Sequence, residues 1–327
     1  MAWRLKLVPD QTNIDFFRLQ TFTFGLSTLL ALASVVVMFF MGLNFGIDFQ
    51  GGTTIRTEAT QPVDVGAYRA AIAPLNLGDV AITQVYDPTF REDQHVAQVR
   101  IQAQDGAEAV SQQTILKVEA ALKAVDPSVT FPSVESVGPK VSGELIQTAV
   151  YAVLASLAAI SVYIWLRFEW QFAVGAFVSL IHDVLITLGL FSLFQIKFDL
   201  TTIAALLTIL GYSINDTVVV FDRLRENLIK YKSRPLRDLI NLSVNETLSR
   251  TVMTSGTTLV ALFALLALGG DVIRGFVFAI TFGIVIGTYS SIYVAKNIVL
   301  WLGVKRDWTK PEAEVAANGD TPFGKMP

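Results

Sequence analysis

The sequence predicts a membrane α-helical bundle of six transmembrane helices with an α+β, ferredoxin-like domain inserted after the first. Three observations predict it. The chain of 327 residues is 52% hydrophobic and only 16% charged, against roughly 25% charged in soluble domains. Its mean hydropathy is +0.52, and several apolar stretches reach the ~20 residues that a bilayer crossing needs. Between the first and second of them, residues 48–143 are too polar to span and long enough for one small domain.

The elements follow in order. Residues 1–18 form a basic N-terminal segment (Arg4, Lys6, Arg18), expected to be a soluble flank. Residues 19–47 form the first span, with no charge at all. A cleavage-like Ala31-Leu32-Ala33 occurs inside it, but the apolar run continues through Met41, well past a signal's hydrophobic region, so it reads as an uncleaved anchor.

In the inserted segment Thr53–Thr60 alternates as a strand, with Thr53, Ile55 and Thr57 on one face. Val63–Asn76 has helical spacing through Val65, Tyr68, Ile72 and Leu75, and Val80–Tyr86 and His95–Gln104 read as strands. Ala107–Val125 is helical through Val110, Thr114, Val118 and Leu122, and Val129–Val137 is extended, with Pro132 marking an edge. The order β-α-β-β-α-β is that of a split βαβ unit, a fold that hosts many functions.

Residues 144–302 hold the other five spans: Glu144 to Arg167, Glu169 to Lys197, Asp199 to Asp222, Arg250 to Asp271 and Arg274 to Lys296. Residues 303–327 read as a disordered tail. Lysine and arginine crowd the connection between spans four and five (Arg223, Arg225, Lys230, Lys232, Arg234, Arg237) and both termini. The opposite connections are nearly bare, so both termini are expected in the cytoplasm and the acidic inserted domain outside. Gly51-Gly52, after a span and before a strand, reads as a tight turn.

Asp216 is the most informative residue. It is the only ionisable group between Asp199 and Asp222, and a carboxyl at membrane depth is costly and usually kept for proton or ion handling. Asn215, Ser213 and Thr217 beside it can hold water and pass a proton; the alternative is an aspartate that only pins a neighbouring helix. Asp183 falls near the middle of span three, preceded by His182. Neighbours on a helix point about 100° apart, so the two are not automatically a pair. Arg250 opens the fifth span in this reading, either as a charged switch partner for Asp216 or as a positive-inside anchor. Gly275, Ala279, Gly283, Gly287, Ser291 and Ala295 recur every four residues and place small side chains on one face. Such a ridge lets a second helix approach closely, within this chain or across a seam with a partner.

Enzyme motifs fail. There is no H-E-x-x-H and no phosphate or dinucleotide loop, and Gly211-Tyr212-Ser213-Ile214-Asn215 lacks the last glycine of a nucleophile elbow. The absence of cysteine removes thiolate sites, and two distant histidines, His95 and His182, argue against a histidine metal centre. The basic connection is better explained by topology, with contact to membrane lipids, than by nucleic acid.

Several blocks together resemble the SecF family, the smaller half of the SecD–SecF accessory complex of bacterial protein export. They are Gly42–Thr53, Val137–Glu144, His182–Gly189, Tyr212–Asn227 and Asn245–Leu259. The resemblance implies half of a transporter of the resistance–nodulation–division (RND) type in the bacterial inner membrane, with SecD supplying the other half. It implies a non-enzymatic accessory subunit working with SecYEG and YajC, which binds unfolded polypeptide on the periplasmic side. The proton motive force would drive it, with the proton as coupling ion and no other cofactor. Asp216 would be the titrating carboxyl and Arg250 its charged partner, with Asp183, Asn215 and His182 as further candidates for the proton path. Two other expectations stay open: a small-molecule or lipid exporter of the same superfamily, and a structural assembly factor without ion flux.

Overall fold

A computed structural model of the chain describes residue 9 and residues 12–78, 80–85, 90–102 and 110–304. Among these, six helices are long and apolar enough to cross a membrane. Helix α1 (Gln20–Met41) is shorter than the span expected over 19–47. It stops at Gly42, which takes φ 66° and donates its N–H to the Met38 carbonyl, a backbone region that glycine enters without a Cβ penalty.

Residues 43–50 then form a junction instead of more span. Gly46 N–H donates to the Phe198 carbonyl (2.8 Å) and Phe198 N–H to the Asn44 carbonyl (2.8 Å). The rings of Phe45, Phe49 and Phe198 close on one another at 5.7–5.8 Å. One helical turn, α2 (Ile47–Gln50), ends at Gly51, and Gly51 and Gly52 both have positive φ (71° and 115°), so the expected tight turn is formed.

The inserted domain runs β1 (Gly52–Ala59), α3 (Val65–Ile72), β2 (Val80–Val85), β3 (His95–Ile101), α4 (Gln112–Val125) and β4 (Thr130–Val137). The sheet order is β2-β3-β1-β4 with every neighbouring pair antiparallel, the ferredoxin-like arrangement expected. Asp64 caps α3 by accepting from Gly66 and Ala67 N–H, and Ser111 caps α4 through Thr114 N–H, which satisfies donors that a helix start leaves orphaned. Helix α4 therefore begins later than the expected Ala107, and residues 107–109 lie outside the described residues, as do Tyr86 and 103–104 at the ends of the expected strands. Ile55, Ala97, Val99 and Ile101 are fully buried against Tyr68, Ile72, Val118 and Leu122. The buried Tyr68 hydroxyl has no hydrogen-bond partner among the described residues, and burial, helped by the charge of Asp126, pushes its pKa up to about 12. On the other face of the sheet Arg100 donates to the Phe45 carbonyl (3.1 Å), tying the domain to the junction.

The chain re-enters the bundle through α5 (Pro139–Arg167), α6 (Trp170–Leu193), α7 (Leu200–Lys230), α8 (Leu236–Leu268) and α9 (Asp271–Ser290). A π-helical turn (Ser291–Ala295) leads into α10 (Lys296–Leu302). Two expectations change here. Helices α7 and α8 run on past their apolar cores, so only residues 231–235 separate them, and Arg223, Arg225, Lys230 and Arg237 lie on helices, not in a loop. Arg223 is held by Glu226 (2.6 Å) and Glu246 (2.7 Å). Arg250 therefore does not open a span; it lies near the middle of α8.

The N-terminal segment also differs from a soluble flank. Phe16 and Phe17 are buried, and Ile14 and Phe16 N–H donate to Asn245 and Asn241 of α8. Lys296, itself buried, donates to the Phe16 carbonyl (3.2 Å) with its ammonium 3.6 Å from the Phe17 ring centre. A desolvated cation over an aromatic face offsets part of its burial cost. The tail expected over 303–327 lies outside the described residues from 305 onward.

Candidate functional site

The bundle interior holds two carboxyls, each set into hydroxyls from neighbouring helices. Asp183 lies near the middle of α6 and is fully buried. One of its oxygens accepts from Ser213 of α7 (2.6 Å) and Ser290 of α9 (2.9 Å). The other lies 3.0 Å from His182 Nδ1. The adjacent His182 and Asp183 are thus bonded to each other, which their spacing alone left open. His182 Nε2 is buried without a partner among the described residues.

Asp216 lies about 24 Å along α7 from Leu200, at 1.5 Å per residue. It is 2% exposed. Ser255 of α8 donates to it (3.2 Å), and the Ser255 hydroxyl lies 2.8 Å from that of Thr288 on α9. Ser213 and Asp216 are three residues apart and share one face of α7, while Thr288 and Ser290 belong to the same turn of α9. The two carboxyls are therefore not bonded directly but lie in one polar seam among α6, α7, α8 and α9. A hydroxyl both donates and accepts. It can satisfy a carboxylate and, after rotation, a protonated carboxyl, so the seam tolerates either state without a fixed cation.

Among the described residues no ion pair joins Arg250 to Asp216. Arg250 is exposed on α8, about one and a half turns before Ser255. Asn215 is exposed on α7 and makes no side-chain hydrogen bond among the described residues. The structure brings Asp216, Asp183 and His182 inside and leaves Asn215 and Arg250 on the outer surface of the bundle.

Three members of the seam carried no signal of their own in the sequence: Ser255, Thr288 and Ser290. Serine and threonine are common in apolar helices, where they bond back to their own carbonyls, as Thr187 does to Asp183 (2.8 Å). Only the packing of four helices shows which hydroxyls face a carboxyl.

The small-residue ridge explains that packing. A Cβ on Gly283 would overlap the Ile209 side chain, and one on Gly287 would come within 2.9 Å of the Ser213 Cβ. The ridge therefore seats α9 on α7 within this chain, with Ala279 fully buried. A Cβ on Gly275 would meet nothing within 4 Å, so the ridge opens at that end. The π-helical turn begins directly after Ser290 and continues the packing against α7 through Ile292 and Ala295; such turns recur at functional sites.

Comparison with known proteins adds a family. The model described as "Protein export membrane protein SecD/SecF, C-terminal" matches residues 117–305, and "SecD/SecF GG Motif" matches residues 36–63. The chain is 69% identical to the protein translocase subunit SecF of Cereibacter sphaeroides, over 96% of this chain and 97% of that protein. It is 41% identical to the protein translocase subunit SecDF of Brucella abortus over 92% of this chain, but spans only 39% of that longer protein. The crystal structure of SecDF, a translocon-associated membrane protein from Thermus thermophilus, superposes with a TM-score of 0.81 at 39% identity. It covers 90% of this chain and 39% of that one.

Proposed function

This chain belongs to the SecD/SecF family of protein export membrane proteins, and we propose that it is the half of a proton-driven export machine that carries the titrating carboxyl. Its role in Sec protein export follows from the family. The proton-driven step, the partners and the orientation are our reading. The observation that carries it is Asp216, buried at mid-helix with hydroxyls as its side-chain hydrogen-bond partners among the described residues. A carboxyl so placed is expensive unless it binds and releases a cation such as the proton.

In this reading SecD supplies the other half, as a second transporter half is fused in SecDF relatives of more than twice the length. The exposed Arg250 and Asn215 support a covered surface, because both would be costly against lipid. Arg250 would then meet Asp216 only in another conformation of the cycle. Both termini lie in the cytoplasm, and the inserted domain meets unfolded polypeptide in the periplasm after SecYEG, with YajC as a further neighbour. The chain acts as an accessory subunit, not as an enzyme, with the proton as its only coupling ion.

The driving force suffices. A proton crossing about 100 mV yields roughly 2.3 kcal/mol, comparable to the few kcal/mol that separate two populated conformations.

The junction offers a mechanical route from carboxyl to domain. Asp48 of α2 accepts from Leu200 N–H (3.0 Å), and Asp199 caps the same end of α7 through Thr202. Helix α7, which carries Asp216, is thus fastened to the segment that leads directly into β1. Asp48→Ala is expected to remove about 1 kcal/mol of capping and to lower gradient-driven export without dispersing the complex. Wild-type export rates for this variant, at equal abundance, would remove the junction from the coupling route.

The test of the function is export of a labelled precursor into inverted membrane vesicles holding this chain and SecD, with and without a proton gradient. Late translocation should slow when the gradient is collapsed. Vesicles lacking the pair should show no such difference. Equal gradient dependence in both kinds of vesicle would favour an assembly factor without ion flux.

A further inference from the structure

The two edges of the inserted sheet are built differently. β4 is closed to strand addition three times over. Its Pro132 has no N–H. Its register with β1 shifts between Arg56 and Glu58, so that Phe131 and Pro132 together oppose Thr57. Glu135 is exposed on it. Proline, a bulge and a charge are the devices by which edge strands are blunted.

β2 has none of them. Val80–Val85 (VAITQV) contains no proline, glycine or charge, and pairs with β3 over its whole length without a register shift. Among the described residues no other strand pairs with its backbone; the Gln84 side chain donates to the Val63 carbonyl (2.6 Å), and Ala81, Thr83 and Gln84 are exposed. Every second N–H and C=O of the strand is thus left for an added strand.

We propose that the outer edge of β2 binds the exported polypeptide as an added strand. Strand addition takes its affinity from main-chain hydrogen bonds and is tolerant of side chains. It suits a substrate that is extended, unfolded and of any sequence. The proposal rests on the export reading above and names where its substrate docks.

The test places a photoreactive amino acid at Thr83 or at Glu135 of the full chain, assembled with SecD in membranes. Cross-links are then formed to a radiolabelled precursor halted partway through the membrane. If main-chain pairing holds the substrate at β2, adducts form at Thr83 about ten-fold more than at Glu135. With the probe moved to Ala81, Thr83→Lys lowers the yield about five-fold by the logic of edge-strand charges, and Thr83→Val leaves it unchanged. Equal yields at the two edges overturn the proposal. So do loss of adducts with Thr83→Val and adducts at Thr83 to SecD or to a second copy of this chain. Gradient-driven export that needs Asp216 with no substrate adduct at Thr83 would remove the docking edge alone. Adducts at Thr83 with gradient-independent export would remove the proton reading alone.

Discussion

Asp216→Asn is expected to abolish the gradient-dependent part of export while leaving the chain folded and paired with SecD. Asparagine has nearly the shape of aspartate, and its carbonyl oxygen still accepts from Ser255, which now donates to the carboxyl at 3.2 Å. The buried polar groups stay satisfied, so stability changes little. What is lost is the capacity to bind and release a proton. Since each proton supplies about 2.3 kcal/mol per 100 mV, removing the only acceptor at this position removes the whole drive. The vesicle assay reads it directly: the rate with a gradient should fall to the rate without one. Co-purification of SecD at wild-type yield shows that the loss is functional. A well-expressed Asp216→Asn chain that still responds to the gradient would exclude Asp216 as the coupling site.

The second large effect is structural. Gly283→Leu is expected to prevent stable assembly of the bundle. A Cβ at this position overlaps Ile209, which is fully buried on α7. Overpacking a filled interior costs typically 1–3 kcal/mol. The cost is expected above that range here, because helices in lipid associate through close packing without a hydrophobic drive between them. The same displacement would pull Gly287 away from Ser213 and separate Ser290 from Asp183, so the polar seam would lose its geometry with the fold. Gly275→Ala is the control on the same ridge, since nothing lies within 4 Å of the added methyl. Thermal unfolding in detergent should show Gly275→Ala at the wild-type midpoint and Gly283→Leu far below it or aggregated. A wild-type midpoint for Gly283→Leu would mean that α7 and α9 do not pack as described.

Where helices end was less legible than where they lie. The charges at Asp222 and Arg250 bracket apolar runs and so mark only where the apolar composition changes. A helix does not stop there, because its hydrogen bonds are internal and continue into water. That is why α7 reaches Lys230 and α8 starts at Leu236, and why Arg250 moved from the edge of a span to its middle. The N-terminal segment packs on the bundle for a reason that composition does not carry. Two phenylalanines are too short a signal for a periodicity argument, yet Phe16 and Phe17 find a ready-made site beside Lys296.

The sequence by itself determined the membrane class, the order of the inserted domain and the two carboxyls. Each of these is a local property: an apolar run long enough to span, an alternation that matches a strand, a charge where lipid makes charge costly. The tertiary structure alone decided that Ser213, Ser255, Thr288 and Ser290 surround those carboxyls, that His182 bonds Asp183, and that the glycine ridge faces inward. Apart from the bond between the neighbours His182 and Asp183, whose side-chain directions spacing leaves open, these are contacts between residues distant in the chain, and a hydroxyl or a glycine looks the same in sequence whichever way it faces. Close approach of α9 to α7 depends on the missing side chains of Gly283 and Gly287. That approach, not the composition of any one helix, places Ser290 on Asp183 and Thr288 beside the Ser255 that bonds Asp216.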